Sequence, residues 1–292
     1  MGMLICDSKQ RIIIHLRHIQ KPGLRTMSVD VTVATLNSGR TIERCLKAIR
    51  SNIPVRRLVI VDGGSTDDTV DIARRYNAEL IVERGLLGRV RYVQAQNCGT
   101  DWIAFVDSDV YVYPSWWLEV SKFAKEPMVG MIIGMCDSPI VRLPIYEDYM
   151  GYLITKHGAV AFSNTLIRRD VMLSCKKLLG PIHAGEDTVL AKHLSNVQMR
   201  ILTVHKRLAY HDKSGTLEHP SAYYRWGQSS RLIGGKQGVK NIAKTLRNNV
   251  RNWISFSKES KEISLKLLMF LIYLWVCSLE GYINGYPRHI ES

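Results

Sequence analysis

Trp102-Ile103-Ala104-Phe105-Val106-Asp107-Ser108-Asp109 is an unbroken apolar run closed by two acids one residue apart. A run of that length suits a strand covered on both faces, as in a parallel sheet lying between helices. Similar runs recur toward the amino terminus at residues 29–36, at Leu58-Val59-Ile60-Val61 and at residues 78–82. Helical patterns fill the gaps. Ile42, Cys45, Leu46 and Ile49 recur at helical spacing among Glu43, Arg44, Lys47 and Arg50, which predicts an amphipathic helix ended by Pro54. After Asp62-Gly63-Gly64, Ser65 is expected to cap a second helix, with Asp68 completing a capping box. A third helical stretch surrounds Val90, Val93 and Asn97. This alternation predicts an α/β fold with a mainly parallel central sheet and helices on both faces. Such sheets bind ligands at the carboxyl ends of their strands, where Asp62, Asp107 and Asp109 all fall.

Past Pro114 a Trp-rich helix is expected over residues 115–125 and a strand over residues 129–135, after which regularity weakens. Two halves, at about 28–112 and about 113–233, then form one domain. Residues 1–27 are an unassigned arm. From Lys236 to Lys266 the chain is strongly basic, and residues 267–279 are almost wholly apolar, with Phe270, Tyr273 and Trp275. That run is shorter than the roughly 20 residues of a spanning helix. Residues 234–292 are therefore expected to rest on a membrane surface, the alternative being a buried closing helix or a homodimer contact.

The 40 Lys and Arg against 26 Asp and Glu give a formal charge of +14, which favours an anionic partner such as nucleic acid, acidic lipid or a nucleotide phosphate. The six cysteines lie singly, with no Cys-x-x-Cys pair to suggest zinc, and read as reduced thiols. Ile12-Ile13-Ile14 is too short for a secretory signal, so a cytoplasmic location at the inner face of the cell membrane is expected.

Side chains alternate along extended backbone, so an Asp-x-Asp at a strand end projects two carboxylates to one side. That pair suits Mg²⁺ or Mn²⁺, which take oxygen ligands and share them with substrate phosphates. A strand end and turn would use the same residues with no ligand at all. The surrounding motifs decide between these. Val31-Thr32-Val33-Ala34-Thr35-Leu36-Asn37, Val61-Asp62-Gly63-Gly64-Ser65-Thr66-Asp67-Asp68-Thr69, Phe105-Val106-Asp107-Ser108-Asp109, Gly185-Glu186-Asp187 and Tyr210-His211 followed by Tyr224-Arg225-Trp226-Gly227 occur in that order. Together they resemble the family 2 glycosyltransferases of the Rossmann-like GT-A fold, in particular membrane-associated prokaryotic or archaeal members, over residues 29 to about 233.

The resemblance implies an inverting hexosyltransferase using a UDP- or GDP-sugar and a lipid-linked or glycan acceptor. It implies that Thr35 and Asn37 flank the base and ribose, that Asp62 helps hold the nucleoside, and that Arg225 contacts phosphate. Asp107 would face ribose or metal, Asp109 would bind the metal, and His211 would complete its shell or touch the diphosphate. The half at about 28–112 would then bind the donor and the half at about 113–233 the acceptor. Asp187, or Glu186 beside it, would be the base that deprotonates the acceptor. Many relatives carry a second acid where Gly63 stands, which leaves the nucleotide open between uridine and guanosine. Acids opening a helix also complement its dipole, so Glu186 and Asp187 have a structural reading too.

Two other classes compete. A haloacid-dehalogenase-type phosphatase would use Asp107 as nucleophile, but that motif opens its domain, and here more than a hundred residues precede it. A basic nucleic-acid-binding protein would explain the charge and Tyr223, Tyr224 and Trp226 near Arg225, yet carboxylates along the rim would repel a phosphate backbone. No nucleic-acid partner is expected.

Overall fold

A computed structural model of the chain describes residues 28–137, 162–180, 182–212, 221–260 and 264–284, with residues 145, 149, 152 and 153 between them. The expected arm at 1–27 lies outside the described residues. Eight strands form one sheet in the order β3-β2-β1-β4-β7-β6-β8-β5. They are β1 (Val29–Thr35), β2 (Val55–Asp62), β3 (Glu79–Val82), β4 (Trp102–Asp107), β5 (Val110–Val112), β6 (Val129–Asp137), β7 (Asn164–Arg168) and β8 (Arg200–His211). The fold is the expected mixed α/β, GT-A arrangement. The β3-β2-β1-β4 half is wholly parallel, while β7 runs antiparallel to both β4 and β6, and β5 antiparallel to β8.

Double coverage explains the unbroken apolar runs. Along β4, Trp102, Ala104 and Val106 enter one core, and Ile103 and Phe105 enter the other. Helix α1 (Gly39–Asn52) buries Ile42, Cys45, Leu46 and Ile49 on the first side. Helix α3 (Leu87–Asn97) brings Val90 and Val93 to the second. Each fully buried side chain of this kind contributes about 1.5–3 kcal/mol, so both cores hold the strand ends in place.

Helix α2 (Thr69–Arg75) starts later than the capping-box reading expected. The side chain of Ser65 is taken by Asp62 and Asn37, and Asp67 Oδ1 instead accepts from Thr69 N at 3.1 Å. Helices α4 (Trp116–Ser121), α5 (Arg169–Ser174), α6 (Lys176–Leu179) and α7 (Glu186–Asn196) follow. Strands β5, β7 and β8 were not anticipated. The short β5 leaves β4 after two residues yet pairs with β8 at the far edge, so the sheet curls and brings the end of β8 back to the Asp107 turn.

Helix α8 (Ser221–Ser260) is continuous for 40 residues and runs through position 233, and α9 (Leu265–Asn284) packs back along it. At 20 residues α9 is longer than the expected 267–279 run, so by length and composition it would reach across a membrane. Its buried face is Leu267, Leu271, Leu274, Cys277, Ser278 and Gly281. The helices meet at backbone distance: a Cβ on Gly227 would stand 1.9 Å from Ser278 O, and one on Gly281 would stand 1.9 Å from Tyr224 O.

Candidate functional site

The register gathers the acids. Thr35 aligns with Asp62 on one side of β1, and Ala34 aligns with Asp107 on the other. Strands spaced about 4.8 Å apart therefore set the two aspartates roughly 10 Å apart across the end of β1. The loops leaving these strands are tied together. Asn37, in the left-handed region at φ 50°, donates its N–H to Ser65 Oγ at 2.8 Å and accepts from Thr66 N at 2.8 Å. Ser38 Oγ lies 2.9 Å from Ser108 Oγ, linking the β1 loop to the turn between the paired aspartates.

Asp62 is buried, and its Oδ2 accepts from Gly64 N and Ser65 N, both at 2.8 Å. Its carboxylate thus shapes its own loop. Thr35 Oγ1 is also buried, with no hydrogen-bond partner.

Asp107 and Asp109 part company. Arg91 Nη2 donates to Asp107 Oδ1 at 2.7 Å, and Arg91 Nε lies 3.6 Å from Glu186 Oε1. Arg91 is 4% exposed and lies over the Phe162 ring at 4.8 Å. This guanidinium joins the end of β4 to the head of α7, and the sequence reading missed it. Its sole signal was an arginine set among Val90, Tyr92 and Val93, which resembles any polar residue on a helix surface. Asp109 turns the other way. His211 Nε2 lies 3.2 Å from Asp109 Oδ2, and Asp212 N donates to Asp109 O at 2.8 Å.

Gly185 caps α7 at φ 83°, a left-handed conformation that aims the helix N-terminus and its two acids inward. Glu186 is buried. Burial pushes its carboxyl up to about 7 against the opposing pull of Arg91, with Asp187 reinforcing the rise. Burial raises Asp187 as well, while Thr188 N, donating at 2.6 Å, opposes it. Helix α8 braces this turn, because Ala184 N donates to Ser229 Oγ at 3.0 Å. Burial and then Arg225 lower the pKa of His183, which brings Arg225 into the electrostatic field of the same turn. Arg168 and Arg169 bond Val129 O at 2.8 Å and Cys98 O at 2.6 Å, beside the amino end of β4 and so at the end of the strands away from the aspartates. Arg231 caps α9, donating to Ile283 O at 2.6 Å.

Among the described residues no three His, Cys, Asp or Glu side chains form a metal cage. Asp109 and His211 alone are nonetheless a fitting donor set for a hard cation whose other ligands are water and substrate phosphate. Among the described residues Cys45, Cys98, Cys136, Cys175 and Cys277 are free, in keeping with reduced thiols.

Residues 30–171 match the glycosyl transferase family 2 model. An uncharacterized glycosyltransferase of Rickettsia felis is 34% identical over 83 residues, 28% of each chain. The putative glycosyltransferase EpsH of Bacillus subtilis is 31% identical over 110 residues, 35% of this chain and 32% of its own. The chain thus spans about a third or less of the length of these relatives. Glucosyl-3-phosphoglycerate synthase from Mycobacterium tuberculosis, solved with Mn²⁺ and UDP-glucose, superposes with a TM-score of 0.49 at 16% identity, covering 67% of this chain and 77% of that one.

Proposed function

We propose, from the premise that residues 30–171 are a family 2 glycosyltransferase domain, that this chain moves a hexosyl group from a UDP- or GDP-sugar to an acceptor hydroxyl by one inverting displacement. The observation that carries the reading is Arg91, buried between Asp107 and Glu186. It holds the nucleotide end of the sheet and the acidic head of α7 to one site.

In this reading Thr35, Asn37 and the loop folded around Asp62 hold the nucleoside. Asp109 and His211 hold Mg²⁺ or Mn²⁺, which when bound offsets the charge of the departing diphosphate. Asp107 stays with Arg91 and orients the ribose side. Arg225 contacts phosphate through its guanidinium fork. Asp187 takes the acceptor proton as the acceptor oxygen bonds the anomeric carbon and the diphosphate leaves from the opposite face. Its burial-raised pKa suits that role, whereas Glu186 is held by Arg91 and braces the turn. The reading extends to a lipid-linked acceptor at the inner face of the cell membrane, supported by the exposed cations of α8. A phosphatase nucleophile at Asp107 is disfavoured, because the Arg91 ion pair at 2.7 Å occupies that carboxylate.

The test is a screen of nucleotide sugars for metal-dependent hydrolysis or transfer by the parent, Asp109→Ala and Asp187→Ala proteins. Asp109→Ala is expected to abolish donor turnover. Asp187→Ala is expected to keep donor binding and lose transfer to a hydroxyl, by about 10²–10⁴-fold. Equal activity in all three would remove both assignments.

A further inference from the structure

Helix α9 has two apolar faces, and α8 covers one of them. Opposite the buried face, Leu265, Met269, Ile272, Val276 and Ile283 are exposed by 63%, 64%, 40%, 48% and 64%. Their spacing of four, three, four and seven places them on one side of the helix, the pattern of a coiled-coil seam. The charges of α9 add a second observation. Its only charged residues are Lys266 and Glu280, both exposed, seven positions either side of Tyr273. By the same heptad count all three flank the seam on one edge. A twofold axis at Tyr273 running two copies antiparallel would set Lys266 against Glu280 of the second copy, and Glu280 against its Lys266. An axis one residue further on, about 1.5 Å along the helix, sets Leu265 opposite Ile283 and Ile272 opposite Val276, so the charged and apolar pairings agree to within one residue. One patch is then its own complement, as an isologous contact requires.

The alternative occupant, a lipid surface, fits less well. On α8 the exposed cations Lys240, Lys244, Arg247, Arg251 and Lys258 share one face. Arg231, Ile242 and Trp253, which bond Ile283 and Trp275 of α9 and Ser264 just before it, lie about half a turn away from them. The basic stripe therefore points away from α9, and anionic head groups drawn to it would not reach the apolar stripe. Glu280 would also be carried toward those head groups.

We infer that α9 pairs antiparallel with α9 of a second copy of this chain, through the Leu265–Ile283 stripe and reciprocal Lys266–Glu280 contacts. The inference does not depend on the sugar-transfer reading, since its readout is association alone.

Sedimentation velocity of the full chain at several concentrations tests it. The parent is expected to show a reversible dimer. Lys266→Glu and Glu280→Lys each place like charges together twice per dimer and are expected to weaken it about tenfold. The double swap restores opposite charges and is expected to return association to the parent level. Within one helix these positions are about 21 Å apart, too far for screened charges to compensate each other, so restoration can arise only between copies. All are exposed surface changes, and unchanged thermal unfolding of a dilute sample checks that the fold is intact. A parent that is monomeric at every concentration overturns the proposal. So does a double swap that stays as weak as the single variants. Monomeric protein that co-sediments with neutral phosphatidylcholine vesicles and loses that binding in Val276→Glu would overturn it in favour of lipid.

Discussion

Arg91 carries its charge at 4% exposure, and the two acids beside it make that tolerable. Removing one member of such a cluster leaves buried charge uncompensated, which costs far more than the cluster contributes. Arg91→Met is expected to destabilise the protein by about 3–5 kcal/mol in denaturant unfolding, with part recovered when Glu186→Gln is added. Equal losses in the single and double variants would show that the guanidinium acts through packing on Phe162 instead. Glu186 sets a pH dependence of definite sign. Its carboxyl is raised to about 7 in the fold from an ordinary value of 4.5. Between those values the folded chain keeps a proton that the unfolded chain has released, so stability falls as pH rises through the window and levels off above it. Glu186→Gln removes that slope, and its melting temperature is expected to gain on the parent from pH 4.5 to 7. Parallel curves would mean that the ion pair with Arg91 outweighs burial. None of this was legible in the sequence, because a buried triad of one base and two acids exists only once β4, α3 and α7 have converged.

At the scale of elements, legibility follows how local the cause is. Strands β1, β2 and β4 were readable because two helix layers leave no polar face, so their apolar runs are continuous. Residues 164–168 and 200–211 gave no such sign: β7 and β8 owe their pairing to distant partners, and β8 carries exposed His205, Lys206 and Arg207. The Asp62 loop misled for a similar reason. Ser65 has the chemistry of a helix cap, but Asp62 and Asn37 compete for it more closely. The α8–α9 crossing yields an element-scale prediction. An alanine methyl at Gly281 would fall 1.9 Å from Tyr224 O, backbone that cannot move alone. Gly281→Ala is expected to cost about 1–3 kcal/mol in chemical denaturation. Because α8 also holds Ala184 N through Ser229, donor turnover should fall with it. Gly180→Ala is the control, since its methyl meets only Lys176 O at 3.5 Å. Similar costs at both positions would dissolve the argument from close approach.

At the scale of the molecule, the curled sheet makes one site from segments remote in the chain: the β1 and β2 loops, the Asp107 turn, the head of α7 and the end of β8. The motif order announced those segments, but not that Asp107 would bond Arg91 while Asp109 met His211. That division has a consequence for binding. If the cation is held by Asp109 and His211 and completed by phosphate, then nucleotide and metal stabilise the fold together and each depends on the other. At a hundredfold excess over the dissociation constant, a ligand adds about 2.7 kcal/mol, a rise in melting temperature of roughly 5–10 °C for a chain of this size. The nucleoside diphosphate of the true donor, UDP or GDP, is expected to give that rise with Mn²⁺ present and to lose most of it in EDTA. Asp109→Ala should show no gain from the metal, while Asp187→Ala should respond as the parent does, because the role proposed for its carboxylate is toward the acceptor and not the nucleotide. An identical shift with and without metal, or an Asp109→Ala protein that still gains from Mn²⁺, would place the cation elsewhere and leave the Asp109–His211 contact a structural one.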